Sequence, residues 1–363
     1  MKYYLIAGER SGDLHGGNLI KQIKRRDTKS SFIGFGGNEM SANGMVLSEH
    51  YSKMAFMGFL EVMKNLGTIR GLIQKCKQDI LNQKPDVVVL IDYGGFNMKI
   101  ARFCKKNGFR TFYYISPKVW AWNTKRALKL KATVDRMFVI LPFEMDFFRK
   151  YGWKVDYVGN PVLDAVKSYA VNPMETGEFV ALLPGSRPQE LKHGLPILTE
   201  LALKVPEVTF RVAAVDNVDA TVYDVIRSAS NVVLDFGHTY DLLAHARAAV
   251  VTSGTATLEA ALWKVPQVVI YETSQISYLI ARNLIKVDYI SLVNLIIGKP
   301  VVKELIQKEF NVQNIASELD LLLNNDEYRN DMLSRYDDLY KTLDIGSASE
   351  NTADLMLKYL KAG

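Results

Sequence analysis

Residues 178–190 read EFVALLPGSRPQE. The run from Phe179 to Leu183 is apolar at every position, which suits a strand buried on both faces of a parallel sheet rather than one with a wet side. Pro184 and Gly185 stop the run, and the residues after Pro188 suit a first helical turn. A buried strand that turns sharply into a helix is the repeating unit of a doubly wound sheet. Ser186, three positions before Gln189, makes a capping-box pattern. That pattern leaves Arg187 without a purpose, because a cation at a helix start is mildly unfavourable unless an anion joins it.

The same unit recurs outward in both directions. Towards the amino end lie YYLIAG from Tyr3, SFIGFG from Ser31, DVVVLID from Asp86, RTFYYIS from Arg110, RMFVIL from Arg136 and KVDYVG from Lys154. Amphipathic helices fit between them, around Asn18 to Arg25 and Ile69 to Leu81. Beyond the opening stretch lie VTFRVAAV, NVVLDF, AAVVTSG and PQVVIY. Pro161, Pro173 and Gly177 make 161–178 the expected linker. The pattern predicts an α/β protein of two Rossmann-like doubly wound domains facing a cleft, at 1–165 and 166–340. The tail from Val301 reads as helical throughout, with 341–363 as a helix that packs back on the first domain.

Composition narrows the classes. A chain of 363 residues exceeds one ordinary core. A formal charge of +6 suits an anionic ligand or membrane surface and is too modest to argue for nucleic acid. Cys76 and Cys104 form neither a CxxC motif nor a disulfide framework. The five histidines lack metal-ligand spacing, so no metal and no resident cofactor is expected. MKYYLIAGERSGD turns polar too early for an export signal, and no apolar stretch approaches a spanning helix. The expectation is a cytoplasmic protein.

Ligands of open parallel sheets bind at the carboxyl ends of the strands, and four such ends carry chemistry. AGERSGDLHG follows the first strand and is not GxGxxG, so a dinucleotide reading has little support. Its plainer reading is a glycine turn with Asp13 as a helix cap. In LIDYGGFN, Asp92 ends a buried aliphatic strand, where desolvation raises its proton affinity and suits a general base. Arg187 beside free helix amides at Gly185 and Ser186 makes a phosphate site. In VVTSGTATLEAAL, Ser253, Gly254 and Thr255 open a helix, and Glu259 lies one turn inside, placed for a ribose hydroxyl. Together these ends divide into a diphosphate-bearing donor in the second domain and an acceptor with a base in the first. That is the logic of a glycosyltransferase. A nicotinamide-dependent dehydrogenase and a non-catalytic two-domain sugar-binding protein are the competing readings.

AGERSGD, SPKVWAW, LPFE, LLPGSRPQE, SGTATLE and DYISLVNLI occur in this order from Gly8 to about Lys308, and the chain resembles the lipid-A-disaccharide synthase family. The resemblance implies a GT-B-type inverting, metal-independent glycosyltransferase. It would join UDP-2,3-diacylglucosamine to the 6-hydroxyl of 2,3-diacylglucosamine 1-phosphate on the cytoplasmic face of the inner membrane of a Gram-negative bacterium. It also implies Asp92 as base, with Glu9 and Arg187 in catalysis. Glu9, Ser11, Asn97 and Ser116 fall on the acceptor side. Gly185, Ser186, Arg187, Ser253, Gly254, Thr255, Glu259 and Asn294 fall on the UDP-sugar side. The family reads Ile-Asp-x-Pro-Asp-Phe-Asn where this chain has IDYGGFN, so Gly95 replaces an acidic residue, and Arg10 replaces a small one. The resemblance permits a homodimer.

Acylated substrates require an apolar surface. In MAFMGFLEVMKNL from Met54, Phe56, Met57, Phe59, Leu60, Val62 and Met63 cover too much of a helix for one core-facing stripe. The expectation is an acyl or membrane contact, against the plainer reading of a core helix. Lys125, Arg126, Lys129 and Lys131 form a basic segment whose plainer reading is a charged, solvated helix and whose other reading is a contact with anionic headgroups.

Overall fold

The computed structural model describes residues 1–54, 66–121, 124–174, 178–274, 278 and 287–362. The chain divides into two compact units, Met1–Pro161 with Asp344–Gly363, and Val162–Leu343. The sequence pattern set its boundaries at 165 and 340.

Unit 1 is a parallel sheet in the order β3-β2-β1-β4-β5-β6-β7. Its strands are β1 (Lys2–Ala7), β2 (Ser31–Gly36), β3 (Met45–His50), β4 (Val87–Ile91), β5 (Thr111–Tyr114), β6 (Arg136–Val139) and β7 (Asp156–Tyr157). Its helices are α1 (Arg10–Arg26), α2 (Asn38–Ala42), α3 (Leu66–Gln83), α4 (Gly94–Lys106), α5 (Arg126–Thr133) and α6 (Phe143–Arg149). Every residue of β4 is buried, as its unbroken Val-Val-Val-Leu-Ile requires. One face of the sheet is closed by Ile73, Ile80, Ile100 and Leu130. Leu19, Ile20 and Ile23 of α1 close the other, together with Met356 from the carboxyl-terminal helix.

Unit 2 repeats the plan with the order β10-β9-β8-β11-β12-β13. Its strands are β8 (Phe179–Leu183), β9 (Thr209–Ala214), β10 (Val232–Phe236), β11 (Ala248–Thr252), β12 (Gln267–Tyr271) and β13 (Lys303–Ile306). The remaining helices are α7 (Pro161–Ser168), α8 (Pro188–Lys204), α9 (Thr239–His245), α10 (Thr255–Leu262), α11 (Leu292–Ile297), α12 (Val312–Asn324), α13 (Asp326–Leu343) and α14 (Ala348–Lys361).

Three expectations change. The segment from 161 begins as α7, because proline is compatible with a first helical position, and Leu163 is buried in the core of unit 2. The tail after Val301 first forms β13, a sheet edge paired in parallel with β12, before turning helical. β3 was not foreseen, since this edge strand buries only Met45 fully. The helix expected at the end is α14. Asp354 accepts from Arg26 Nη2 at 3.0 Å, and Tyr359 donates to Asp156 at 3.0 Å while Arg136 stacks 4.0 Å over its ring.

Candidate active site

In both units the strand order reverses between the first and fourth strands, and that switch point is where such sheets bind ligands. In unit 1, Ala7 of β1 is in register with Ile91 of β4. Gly8-Glu9 and Asp92-Tyr93 therefore leave the sheet side by side. Asp92 and Tyr93 both adopt left-handed backbone, with φ of 43° and 46°, each at a cost of about 1–3 kcal/mol. The strain is held from several directions. The Asp92 amide donates to the Tyr114 carbonyl at 3.1 Å, and the Asp92 carbonyl accepts from Asn97 Nδ2 at 2.8 Å and from the Tyr113 hydroxyl at 2.5 Å. The Tyr93 ring lies so close over Gly8 that a Cβ there would stand 2.3 Å from it. Only glycine lets the two strand ends approach in this way.

Burial pushes the Asp92 carboxyl up to about 6, and the neighbouring charge of Glu9, which shares a hydrogen bond with it, pushes the same way. Lys118 and the Tyr93 amide oppose the rise. Asp92 is half-buried. A carboxylate of this kind is a competent base near neutrality. Ser11 donates to Glu9 Oε1 at 3.0 Å, so Ser11, Glu9 and Asp92 form one chain of polar contacts.

Other acceptor-side candidates serve the scaffold. Asn97 is fully buried, and its amide donates to the Ile91 and Asp92 carbonyls at 3.1 and 2.8 Å. It holds the base's backbone. The Ser116 hydroxyl donates to Glu144, which also accepts from the amides of Ile140 and Leu141 at 3.2 and 3.0 Å. Glu144 is buried, and desolvation raises its carboxyl to about 7. The SPKVWAW and LPFE motifs are thus pinned to one another, and Ser116 is occupied in doing so. Asp13 accepts from Gly37, Glu39 and Met40 amides at 2.7, 3.0 and 3.1 Å, capping α2 rather than its own helix.

In unit 2, Leu183 of β8 is in register with Val251 of β11, which brings Gly185-Ser186-Arg187 beside Ser253-Gly254-Thr255. The capping box is built differently from its sequence pattern. The cap is Arg187, with Pro188 first in α8, and Glu190 rather than Gln189 folds back. Thr255 is exposed at the start of α10, where the Thr257 amide turns back to the Gly254 carbonyl at 3.3 Å and the first two amides lie ahead of the helical bonding pattern. The Ser253 hydroxyl donates to the Ile290 carbonyl at 2.9 Å, and Leu292 N donates to Thr257 Oγ1 at 3.2 Å, so SGTATLE and DYISLVNLI interlock. Glu259 is half-buried, its carboxyl raised by desolvation, and it accepts from the Tyr240 hydroxyl at 3.1 Å.

Asn294, expected on the UDP-sugar side, is bonded within the fold. It is 1% exposed; its Nδ2 donates to Val302 O and Glu304 Oε1 at 2.9 Å each, and its Oδ1 accepts from Val301 and Val302 amides at 2.8 and 2.9 Å. All four side-chain bonds join α11 to the 301–304 segment that leads into β13.

Phe56, Met57, Phe59, Leu60, Val62 and Met63 lie outside the described residues. In the basic segment, Lys131 donates to the Tyr151 carbonyl at 3.1 Å, while Lys125 and Lys129 are exposed beside Leu128, 53% exposed. Among the described residues no helix is long and apolar enough to cross a membrane, and no cluster of His, Cys, Asp or Glu is placed to hold a metal ion.

Sequence reasoning missed Glu190, Lys118, Tyr113 and Tyr240. Glu190 left a signal: proline favours the first helical position, which makes Arg187 the cap and puts Glu190 at the reciprocal capping position. The others come from distant segments and left none.

A family profile described as lipid-A-disaccharide synthetase matches residues 3–355. A lipid-A-disaccharide synthase of Syntrophus aciditrophicus is 41% identical over 98% of this chain and 97% of its own. One from Geobacter metallireducens is 36% identical over 98% of this chain and 96% of its own. Among solved structures, a UDP-GlcNAc 2-epimerase from Neisseria meningitidis bound to UDP-GlcNAc superposes with a TM-score of 0.69 at 16% identity, covering all of both chains. The glycotransferase of kitacinnamycin gives 0.70 at 13% identity over 99% of each. These two likenesses concern the fold.

Proposed function

The chain belongs to the lipid-A-disaccharide synthetase family, and from that premise we propose how its two units divide the chemistry. It is a glycosyltransferase of the GT-B fold. Its reaction moves the diacylglucosamine of UDP-2,3-diacylglucosamine onto the 6-hydroxyl of 2,3-diacylglucosamine 1-phosphate, with inversion, releasing UDP.

Unit 1 carries the acceptor half. Asp92 takes the proton of the 6-hydroxyl as that oxygen attacks the anomeric carbon. A sugar hydroxyl is a far weaker acid than a carboxylic acid, so the proton moves late, as the new bond forms. The charge of Glu9 raises the proton affinity of Asp92, and Glu9 accepts from the Asp92 carboxyl once that group has taken the proton, while Ser11 donates to Glu9. Unit 2 carries the donor half. Negative charge grows on the departing UDP, and Arg187 with the first-turn amides of α10 stabilises it most as the old bond breaks. In this reading the guanidinium and the helix start take the place of a divalent metal. The observation that carries the reading is the meeting of Asp92 and Glu9 at the switch point of unit 1, with Asp92 on strained left-handed backbone.

Acylated substrates place the enzyme at the cytoplasmic face of the inner membrane. The exposed Lys125, Leu128 and Lys129 on and beside α5 support that location, and so does the apolar composition of 54–63. Incubation with both substrates, followed by mass analysis, is the test. A disaccharide 1-phosphate with UDP is expected, and free 2,3-diacylglucosamine with UDP, from transfer to water alone, would overturn the transferase reading.

A further inference from the structure

Three donors converge on one carboxylate at the start of α8. Glu190 Oε2 accepts from the Ser186 and Arg187 amides at 3.1 and 3.2 Å, and Oε1 pairs with Arg187 Nη1 at 3.1 Å. The Glu190 side chain is 15% exposed, against 68% for Arg187. Gly185 makes room for it: its φ is +104°, and a Cβ there would stand 2.4 Å from Glu190 Oε2. Ser186, one of the residues that the sequence offered to a phosphate, thus gives its amide to a carboxylate together with Arg187, and one slot does not hold a carboxylate and a phosphate together. A guanidinium has five donors in a fixed fork. Contact through Nη1 leaves the outward donors of Arg187 in solvent.

We propose that Glu190 is a positioning residue: it fixes the Gly185-Ser186-Arg187 turn and aims the outward edge of Arg187 at the diphosphate, whose remaining contacts fall to the start of α10. This rests on the reading of Arg187 as a UDP contact. The amides at the start of α8 are then structural, and a carboxylate behind the arginine keeps its long side chain in one geometry before the nucleotide arrives.

UDP affinity by calorimetry and steady-state kinetics, each beside thermal unfolding, test this in four variants. Glu190→Ala should weaken UDP by about tenfold, the size of one lost charge-assisted contact. Glu190→Gln keeps an acceptor for the two amides, so it should recover thermal stability without recovering affinity. In an Arg187→Ala background, Glu190→Ala should change UDP affinity no further. Tighter UDP binding by Glu190→Ala or Glu190→Gln would overturn the inference, because the carboxylate would then be a competitor for a phosphate slot. Loss of affinity in Arg187→Ala with none in Glu190→Ala overturns the inference alone. Unchanged affinity in Arg187→Ala overturns the reading of Arg187 and the inference with it.

Discussion

Asn97 donates its side-chain amide to the carbonyl oxygen of Asp92 at 2.8 Å, from one turn inside the helix that Asp92 precedes. That bond, with the Tyr113 hydroxyl on the same oxygen, locks a left-handed residue at the end of an all-buried strand. Asn97→Ala should therefore lower stability by about 1–3 kcal/mol through the loss of two buried hydrogen bonds. It should also lower kcat while leaving UDP affinity unchanged. Thermal unfolding and kinetics on the same preparation check both; a destabilised variant with normal kcat would separate Asn97 from the base.

The pH profile of kcat/KM should show an acid limb near 6, the value to which burial and Glu9 push Asp92. Below that value the base is protonated and turnover falls. Glu9→Gln removes a like charge, which lowers the pKa of Asp92 and moves the limb to lower pH. Lys118→Met removes an opposing cation and moves it to higher pH. Shifts in the same direction for both variants would contradict the assignment of the limb to Asp92.

Asp92 also bears on stability. Its folded pKa of about 6 exceeds the ordinary value of 3.8, so the folded state retains a proton that the unfolded chain releases between those values. Stability contributed by this group is lost as pH rises through that window, and at pH 7 the buried charge is a standing cost. Asp92→Asn should abolish turnover and raise stability at pH 7 by about 1–3 kcal/mol. The gain should disappear below pH 4, where both states of the wild type are protonated. Equal stability of the two proteins across the range would show Asp92 to be well solvated.

What the sequence made legible follows from where the information lies. β4 and β8 could be read because burial on both faces leaves an unbroken apolar run. β3 and β13 are short edges with mixed exposure, and their pairing partners, not their own composition, make them strands. Asp92 was legible from the strand it ends. The strain at Asp92 and Tyr93 was not, since Tyr113 and Gly8 hold it from two other segments and Asn97, in the same stretch, turns back to it only in the fold. Arg187 was noticed as an oddity for a sound electrostatic reason, yet its partner was missed by one position. Asn294 entered through family resemblance, which carries position along a motif but not the direction in which a buried amide points.

Asn294 offers the sharpest separation between a scaffold role and a donor contact. Its amide makes four hydrogen bonds within its own unit, and Glu304, which shares one of them, also accepts from the Ile290 and Ser291 amides at 3.0 and 2.9 Å. Asn294→Asp preserves the shape and removes both donors, setting a carboxylate against that of Glu304 in a buried position. The loss should be several kcal/mol, about 3–5 by analogy with an uncompensated buried charge, and it should ease at acid pH as one carboxyl takes a proton. Asn294→Leu should also destabilise, without the pH dependence. Among molecules that remain folded, UDP affinity should match the wild type in both. A variant with unaltered unfolding temperature but a raised KM for the UDP-sugar would return Asn294 to the donor site.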